Sequence, residues 1–392
     1  MSASADRAAS IADRLAQALA AIEAIDPADG YDPAVPAALV SSGLHLLCLP
    51  SEAGGLGGGL VEGVAVLSAL GAVSGSAALG FAMHTHVVGS LYESAGWPPA
   101  LRDWLGRLVR DESALLNSAA TEEGSGSPAR GGLPATTATL ADGGFQLAGG
   151  KTWTTWLPAL RAAQVTASIA SGEIGNFVVD LESAGVERLP GFDALGMRGS
   201  ASGRLVLHDV FVPADRLIGT RLAGGPDPRG PAPGAWFGVV AAAVYLGVGE
   251  GARRDVVRWA IDRRPGDGVT AVADLPTIAV RLGRIDAALR AARILVEDVA
   301  RRWQAAAPGV RGALLADISL AKVTATNAAV LATDEALRIA GGPGFLAGRL
   351  ERAFRDARAG LINPPLDDIA YQSFARQLVE TERARSQSQT PS

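Results

Sequence analysis

The chain has 392 residues, 48% hydrophobic and 19% charged, too apolar for a disordered polymer and long enough for two or three folded units. Its 35 basic and 40 acidic residues leave a net charge of −5, the wrong sign for a general nucleic-acid binder. The single cysteine, Cys48, excludes an intramolecular disulfide and a multi-cysteine metal site.

The first residues are polar, with Asp6, Arg7, Asp13 and Arg14 and no apolar stretch, so no secretory leader is expected and the cytoplasm is the expected compartment. Ile11, Leu15, Leu19 and Ile22 recur at helical spacing and predict an amphipathic helix. Pro33 and Pro36 punctuate the next stretch of chain. Cys48 lies in the apolar run Leu46-Leu47-Cys48-Leu49, which points to a buried thiol. The glycines between Pro50 and Gly57 predict a turn. Helical signals resume over Leu60–Leu91 and Leu101–Leu115. Val64 to Met83 carries no charge and is about long enough to cross a bilayer. It is dense in Ser and Gly, with Gly75 between Ser74 and Ser76, and lacks basic flanks. Two buried helices broken at that point are expected, with no membrane span. Of the four histidines, only His84 and His86 are close, and a spacing of two places them on different helix faces. No metal site is expected.

The middle of the chain changes character. Gly143–Thr155, Gln164–Ile169, Asn176–Asp180 and Leu205–Val212 are β-type runs bounded by Gly, Pro or Asp. They predict one antiparallel β domain over roughly Ser118–Leu222. Gly224–Gly234 reads as a linker. Long Ala/Leu/Val/Arg stretches then predict helices over Phe237–Arg263, Leu275–Arg302 and Arg311–Ile339. Helices, strands, then helices give an α+β protein in three parts, residues 1–117, 118–223 and 224–392.

Five segments in this order carry a resemblance. They are Pro50 to Gly57; Thr121-Glu122-Glu123-Gly124-Ser125-Gly126-Ser127; and Gly150-Lys151-Thr152-Trp153-Thr154-Thr155. The fourth runs from Leu195-Gly196-Met197-Arg198-Gly199-Ser200 through Leu207 to Pro213. The fifth is Gly341-Gly342-Pro343-Gly344-Phe345, followed by Leu350-Glu351-Arg352 and Arg355-Asp356. Together they resemble the acyl-CoA dehydrogenase family of flavoproteins over nearly the whole length. The resemblance implies an N-terminal helical domain, a central β domain and a C-terminal four-helix bundle. It implies FAD between the β domain and the bundle, and a homodimer or homotetramer. It also implies α,β-dehydrogenation of an acyl thioester such as an acyl-CoA, with electrons passing to an acceptor such as an electron-transfer flavoprotein.

Residue by residue, the resemblance places Ser118, Ala120, Thr121 and Ser127 on the loop that meets the flavin and the thioester. Trp153 would pack on the flavin, with Thr154 and Thr155 near its N5 position. Arg264 would contact flavin phosphate, and Arg338, Gly341 and Gly342 the pyrophosphate of an FAD held by a neighbouring subunit. Ser127 and His84 would line the substrate. The chemistry suits these residue types: Gly permits close backbone approach, Trp offers a flat apolar face, and Thr and Ser are short donors.

The departures concern the reaction. The family's usual catalytic glutamate falls at Pro364, in Asn363-Pro364-Pro365-Leu366, and proline cannot act as a base. The alternative position on an earlier helix falls near Trp236-Phe237-Gly238, also without a carboxylate. Pro276 stands where a cofactor-binding Gln is usual, and Glu123 where a proline is usual. Three explanations are open. Asp367, Asp368 or Glu250 serves instead, although Asp367 and Asp368 also suit the start of the last helix. Or the chain resembles the family's two-component monooxygenase branch, which uses reduced flavin, FMN or FAD, with O₂, and has histidines where His84 and His86 stand. Or it is a catalytically silent flavin-binding subunit.

Overall fold

The computed structural model describes residues 3–25, 29–124, 132–266 and 268–388. The N-terminal stripe forms α1 (Ala3–Ile25), with Ile11, Ala18 and Ile22 buried and Leu15 and Leu19 packed partly against the core. Helix α2 (Ala34–Ser41) tolerates Pro36 because it lies in the first turn, where no intrahelical N–H bond is lost. Cys48 is buried, and burial pushes its thiol pKa up, as suits a structural residue.

The uncharged run from Val64 to Met83 is split between two core helices, α3 (Leu60–Val73) and α4 (Gly75–Glu93). Ser74 breaks them: it is extended, and its hydroxyl accepts from the Ala77 N–H at 3.3 Å, capping α4. Helix α6 (Ala232–Asp262) packs on α3 through facing glycines. A Cβ on Gly71 would come within 2.5 Å of the Val244 carbonyl, and one on Gly247 within 2.3 Å of the Ser68 carbonyl. Two stretches, α6 and Pro308–Ala340, are long and apolar enough to cross a membrane. The most apolar window of α6 is 83% buried and that of Pro308–Ala340 is 50% buried, and α6 reads as the central core helix of the fold.

Helix α5 (Pro99–Asp111) stops before the expected Leu115. Ser113 turns the chain with φ of +55°, and Leu115 already opens strand β1 (Leu115–Ala119). The sheet continues with β2 (Thr137–Ala141), β3 (Gly144–Thr154), β4 (Leu160–Ile169) and β5 (Glu173–Asp180), then β6 (Val186–Gly191), β7 (Gly203–Pro213) and β8 (Leu217–Leu222). Its order is β6-β7-β3-β2-β4-β5-β8, with β1 on β4. The expectation of an antiparallel sheet needs correction. β1 and β2 both run parallel to β4, the remaining pairs are antiparallel, and the sheet is mixed. β1 is separated from β4 by the whole β2–β3 hairpin, and a connection of that length permits a parallel partner.

The C-terminal part holds α6, α7 (Pro276–Ala305), α8 (Leu315–Ala340), α9 (Arg349–Ile362) and α10 (Asp367–Ser388). Helices α6 to α9 pack around Tyr245, Ile285, Val296, Trp303 and Ala336. The linker is shorter than expected, since α6 begins at Ala232 with Pro233 in its first turn. Residues 308–314 form a 3-10 turn, so α8 begins at Leu315 rather than near Arg311. The three parts are tied at one knot. The Met197 N–H donates to Asp356 Oδ1 at 2.5 Å, and Arg355 donates to the Leu195 carbonyl at 3.0 Å. Arg355 also pairs with Asp29 at 2.8 Å and Glu351 at 2.5 Å.

Candidate functional site

The segment after β1 and the strand β3 lie side by side, because the Thr152 N–H donates to the Thr121 carbonyl at 2.8 Å. Beneath them is a buried ion pair. Lys151 Nζ donates to Glu122 Oε1 at 2.5 Å and approaches Thr166 Oγ1 on β4 at 3.3 Å. The Glu122 carboxylate also accepts from the N–H groups of Ala135 (2.5 Å) and Thr136 (3.1 Å) and from the Thr136 hydroxyl (2.6 Å). Burial alone would raise the Glu122 pKa. The hydrogen bonds from Lys151 and Thr136 and the lysine's charge override this and hold it at about 2. Burial lowers the pKa of Lys151, and Glu122 works against that.

Just past Lys151 the ladder between β3 and β7 breaks. Lys151 pairs with Leu205 and Thr154 with Gly203, and the register shifts between them. Trp153 lies in this bulge with φ of +56°, a conformation non-glycine residues seldom adopt. The bulge turns the Trp153 ring outward, where it is 49% exposed and packs against Phe192 at 4.7 Å between ring centres. Thr154 turns inward, and its hydroxyl, like that of Thr152, is buried without a hydrogen-bond partner. Thr155 bonds Ser202 at 2.9 Å, Ser202 bonds Ser200 at 2.9 Å, and the Trp156 N–H donates to the Ser200 carbonyl at 2.7 Å. Asn117 on β1 donates to the Thr155 carbonyl at 2.9 Å and accepts from the Ser118 N–H at 2.6 Å. Ser118, Thr121, Trp153, Thr154 and Thr155 are thus gathered where β1 and β3 end, with Ala120 beside them. Ser127 lies outside the described residues. Glu123 is exposed and pairs with Arg204 at 2.5 Å.

The exposed aromatic face of Trp153 fits the flat ring of a flavin, and the next residue, Thr154, carries a buried hydroxyl left without a partner. Of the supporting residues, sequence reasoning missed Asn117 and the Glu122–Lys151 pair. A signal existed: the chain has only two lysines, Lys151 and Lys322, and both are fully buried.

The remaining cofactor candidates lie elsewhere. Arg264 follows α6 and donates to the Asp262 carbonyl at 3.2 Å. Arg338 is exposed in the last turn of α8, and Gly341 and Gly342 follow it with open space around both Cα positions. This is also the end of the bundle where α7 begins, with Pro276 as its first residue, and where Arg281 (2.5 Å) and Arg284 (3.2 Å) share the carboxylate of Glu335.

Around the position of the missing glutamate, the Asn363 amide donates to Tyr245 Oη at 2.6 Å. Lys322 Nζ donates to the carbonyls of Gly360 (2.8 Å) and Pro365 (2.9 Å), and burial lowers its pKa to about 8. Asp367 opens α10. Its Oδ2 accepts from Asn327 at 2.7 Å, while its Oδ1 is buried without a partner. Asp368 is exposed. Glu250 is held by Arg293 at 2.5 and 2.8 Å.

The histidines divide. The Leu116 N–H donates to His84 Nδ1 at 3.2 Å, so Nε2 carries the proton and donates to the His45 carbonyl at 2.8 Å. Burial lowers its pKa to about 4. Both nitrogens of His84 bond the backbone and serve the fold. His86 is buried against Phe237, edge to face at 5.6 Å, with Nδ1 unpartnered. Burial, then the charge of Arg229, lowers its pKa to about 3 and keeps it neutral.

Comparison with known proteins agrees with this geometry. Residues 5–112 match the acyl-CoA dehydrogenase N-terminal domain and residues 239–362 the acyl-CoA dehydrogenase C-terminal domain. YdbM of Bacillus subtilis (strain 168), a protein named for the acyl-CoA dehydrogenases, is 32% identical over 88% of this chain and 88% of its own. Butyryl-CoA dehydrogenase from Megasphaera elsdenii superposes with a TM-score of 0.81 at 22% identity, covering 94% of this chain and 98% of its own. TdsC from Paenibacillus sp. A11-2, seen with FMN and indole, superposes at 0.79 and 22% identity, covering 93% and 94%. At that identity the two structures show a shared fold. The chain belongs to the acyl-CoA dehydrogenase family, whose cofactor is FAD.

Proposed function

We propose that this protein is a flavin-dependent oxidoreductase acting on an acyl thioester or a related acyl compound. The observation that carries the reading is the β3 bulge, which sets an exposed Trp153 face beside the unpartnered Thr154 hydroxyl in a chain of this family. Bound flavin supplies the hydride acceptor. Trp153 packs on its ring, Thr154 donates to it, and Arg264 meets its phosphates. Arg338, Gly341 and Gly342 serve the cofactor of a second copy. Phe345 and Leu346 beside them are 81% and 70% exposed, which supports an assembly of two or four copies, checked by sedimentation of the purified protein.

The proton has to go to a group other than residue 364. Glu250 is engaged by Arg293, and Asp367 offers a buried oxygen without a partner, so Asp367 is the base under this reading. Anaerobic mixing with a panel of acyl-CoA thioesters tests it. At least one thioester should bleach the oxidised flavin, and Asp367→Asn should slow that step about a hundredfold or more. Bound flavin that no thioester reduces contradicts the reading.

A second reading, a monooxygenase supplied with reduced flavin and O₂, is favoured by Pro364 and by the neutral, unpartnered His86 Nδ1. It requires oxygen uptake coupled to an oxygenated product when reduced FMN or FAD is supplied, and full loss of coupling in His86→Phe. Tight flavin with neither activity identifies a silent subunit.

A further inference from the structure

We infer that the buried Glu122–Lys151 ion pair is a positioning device: it fixes the β3 bulge and thereby sets Trp153 and Thr154 for the flavin ring. The inference rests on the reading that flavin binds at the β3 bulge.

Stability alone does not account for the pair. Both side chains are buried, Lys151 entirely. Removing two ions from water costs several kcal/mol, and well-packed apolar residues in place of such a pair are often as stable or more so. What the pair does that an apolar contact cannot is gather directional bonds. The one carboxylate of Glu122 takes donors from Ala135 and Thr136 ahead of β2 and from Lys151 on β3. Lys151 in turn reaches Thr166 on β4. The segment after β1, the approach to β2 and strands β3 and β4 are therefore pinned at the residue where the bulge begins.

The bulge needs such a pin. Between Lys151 and Thr154 the ladder to β7 is interrupted, and a non-glycine residue at φ of +56° persists only where its surroundings impose it. If β3 relaxed to a regular register, Trp153 and Thr154 would exchange faces, because side chains alternate along a strand. The ring would then turn from the surface and the hydroxyl from its buried position. The pair acts through the backbone between Lys151 and Thr154.

The test compares the full-length protein with Glu122→Gln, Lys151→Arg and the double variant Glu122→Leu/Lys151→Met. Each is measured for thermal midpoint without flavin, for the dissociation constant of added FAD, and for the shape of the bound-flavin absorption band. The double variant leaves the Ala135 and Thr136 donors without their acceptor, so it is expected to melt below the wild type, and to bind FAD about tenfold or more weakly, with an altered band. Lys151→Arg, which still donates to Glu122, is expected to retain most of the affinity. Glu122→Gln keeps the volume, decides the matter if the double variant does not fold, and is expected to weaken binding several-fold. Wild-type affinity and band shape in the double variant, or in Glu122→Gln where the double does not fold, overturn the inference. If the wild type itself binds no flavin, the flavin reading falls and the inference with it.

Discussion

Thr154 carries a hydroxyl that the folded protein has buried and left unpaired. An unpaired buried hydroxyl costs about 1–3 kcal/mol, and a hydrogen bond made to it contributes about 0.5–1.5 kcal/mol. Thr154→Val keeps the shape and removes the group. Its thermal midpoint should hold or rise while flavin affinity falls several-fold, read by calorimetry and by fluorescence titration; a less stable variant with unchanged affinity contradicts the assignment. His84 gives the opposite kind of prediction. Its two hydrogen bonds require a neutral ring, and burial lowers its pKa from 6.5 to about 4. The unfolded chain therefore takes up this proton first. Stability present above pH 6.5 is lost as pH falls toward 4, by roughly 3 kcal/mol in all at about 1.4 kcal/mol per pKa unit. Asp356, whose pKa burial raises to about 6, slopes the other way, contributing stability at low pH that is lost as pH rises through 6. It is common to both proteins, so it cancels in a comparison. His84→Gln should be less stable than the wild type at pH 7, with the gap closing by pH 4.5; a constant gap contradicts this.

At the scale of elements, Ser74 decides whether the apolar run after Leu60 is one helix or two. Its hydroxyl caps α4, and Ser74→Ala should lower stability by about 1 kcal/mol, seen as a reduced denaturation midpoint with an unchanged slope. This break was legible in the sequence because Ser-Gly-Ser marks a helix boundary locally. The segments that carry the family resemblance were legible too, since residue types such as Trp153 and Thr154 follow one another in a recognisable order. Strand β1 was not legible. Leu115 and Leu116 look like the end of a helix, and what makes them a strand is a parallel partner some 45 positions away, a non-local term absent from any window. The Glu122–Lys151 pair was invisible for the same reason: a Glu and a Lys 29 residues apart read as solvated charges until the fold buries them. At His84 the sequence pointed to a ligand, and only the bonds to the backbone of His45 and Leu116 show that it holds α4 against β1.

On the scale of the whole molecule, the helical parts and the sheet are joined where Asp356 of α9 accepts the Met197 N–H and Arg355 reaches Leu195 and Asp29. One carboxylate thus holds the loop 195–200, whose Ser200 bonds Ser202 and through it Thr155, just past the end of β3. Asp356→Ala should cost about 1–3 kcal/mol for the orphaned N–H and speed hydrogen exchange at Met197 and Ser200. Exchange that stays slow there would mean the knot is not what orders the loop. The same connection links the bundle to the end of β3, so the candidate site is a product of all three parts of the chain and not of the sheet alone. The most direct measurement is a crystal structure of the protein with FAD. The ring should lie against Trp153, with the Thr154 hydroxyl within hydrogen-bonding distance of it. A flavin bound away from the β3 bulge, or none bound at saturating FAD, would contradict the account.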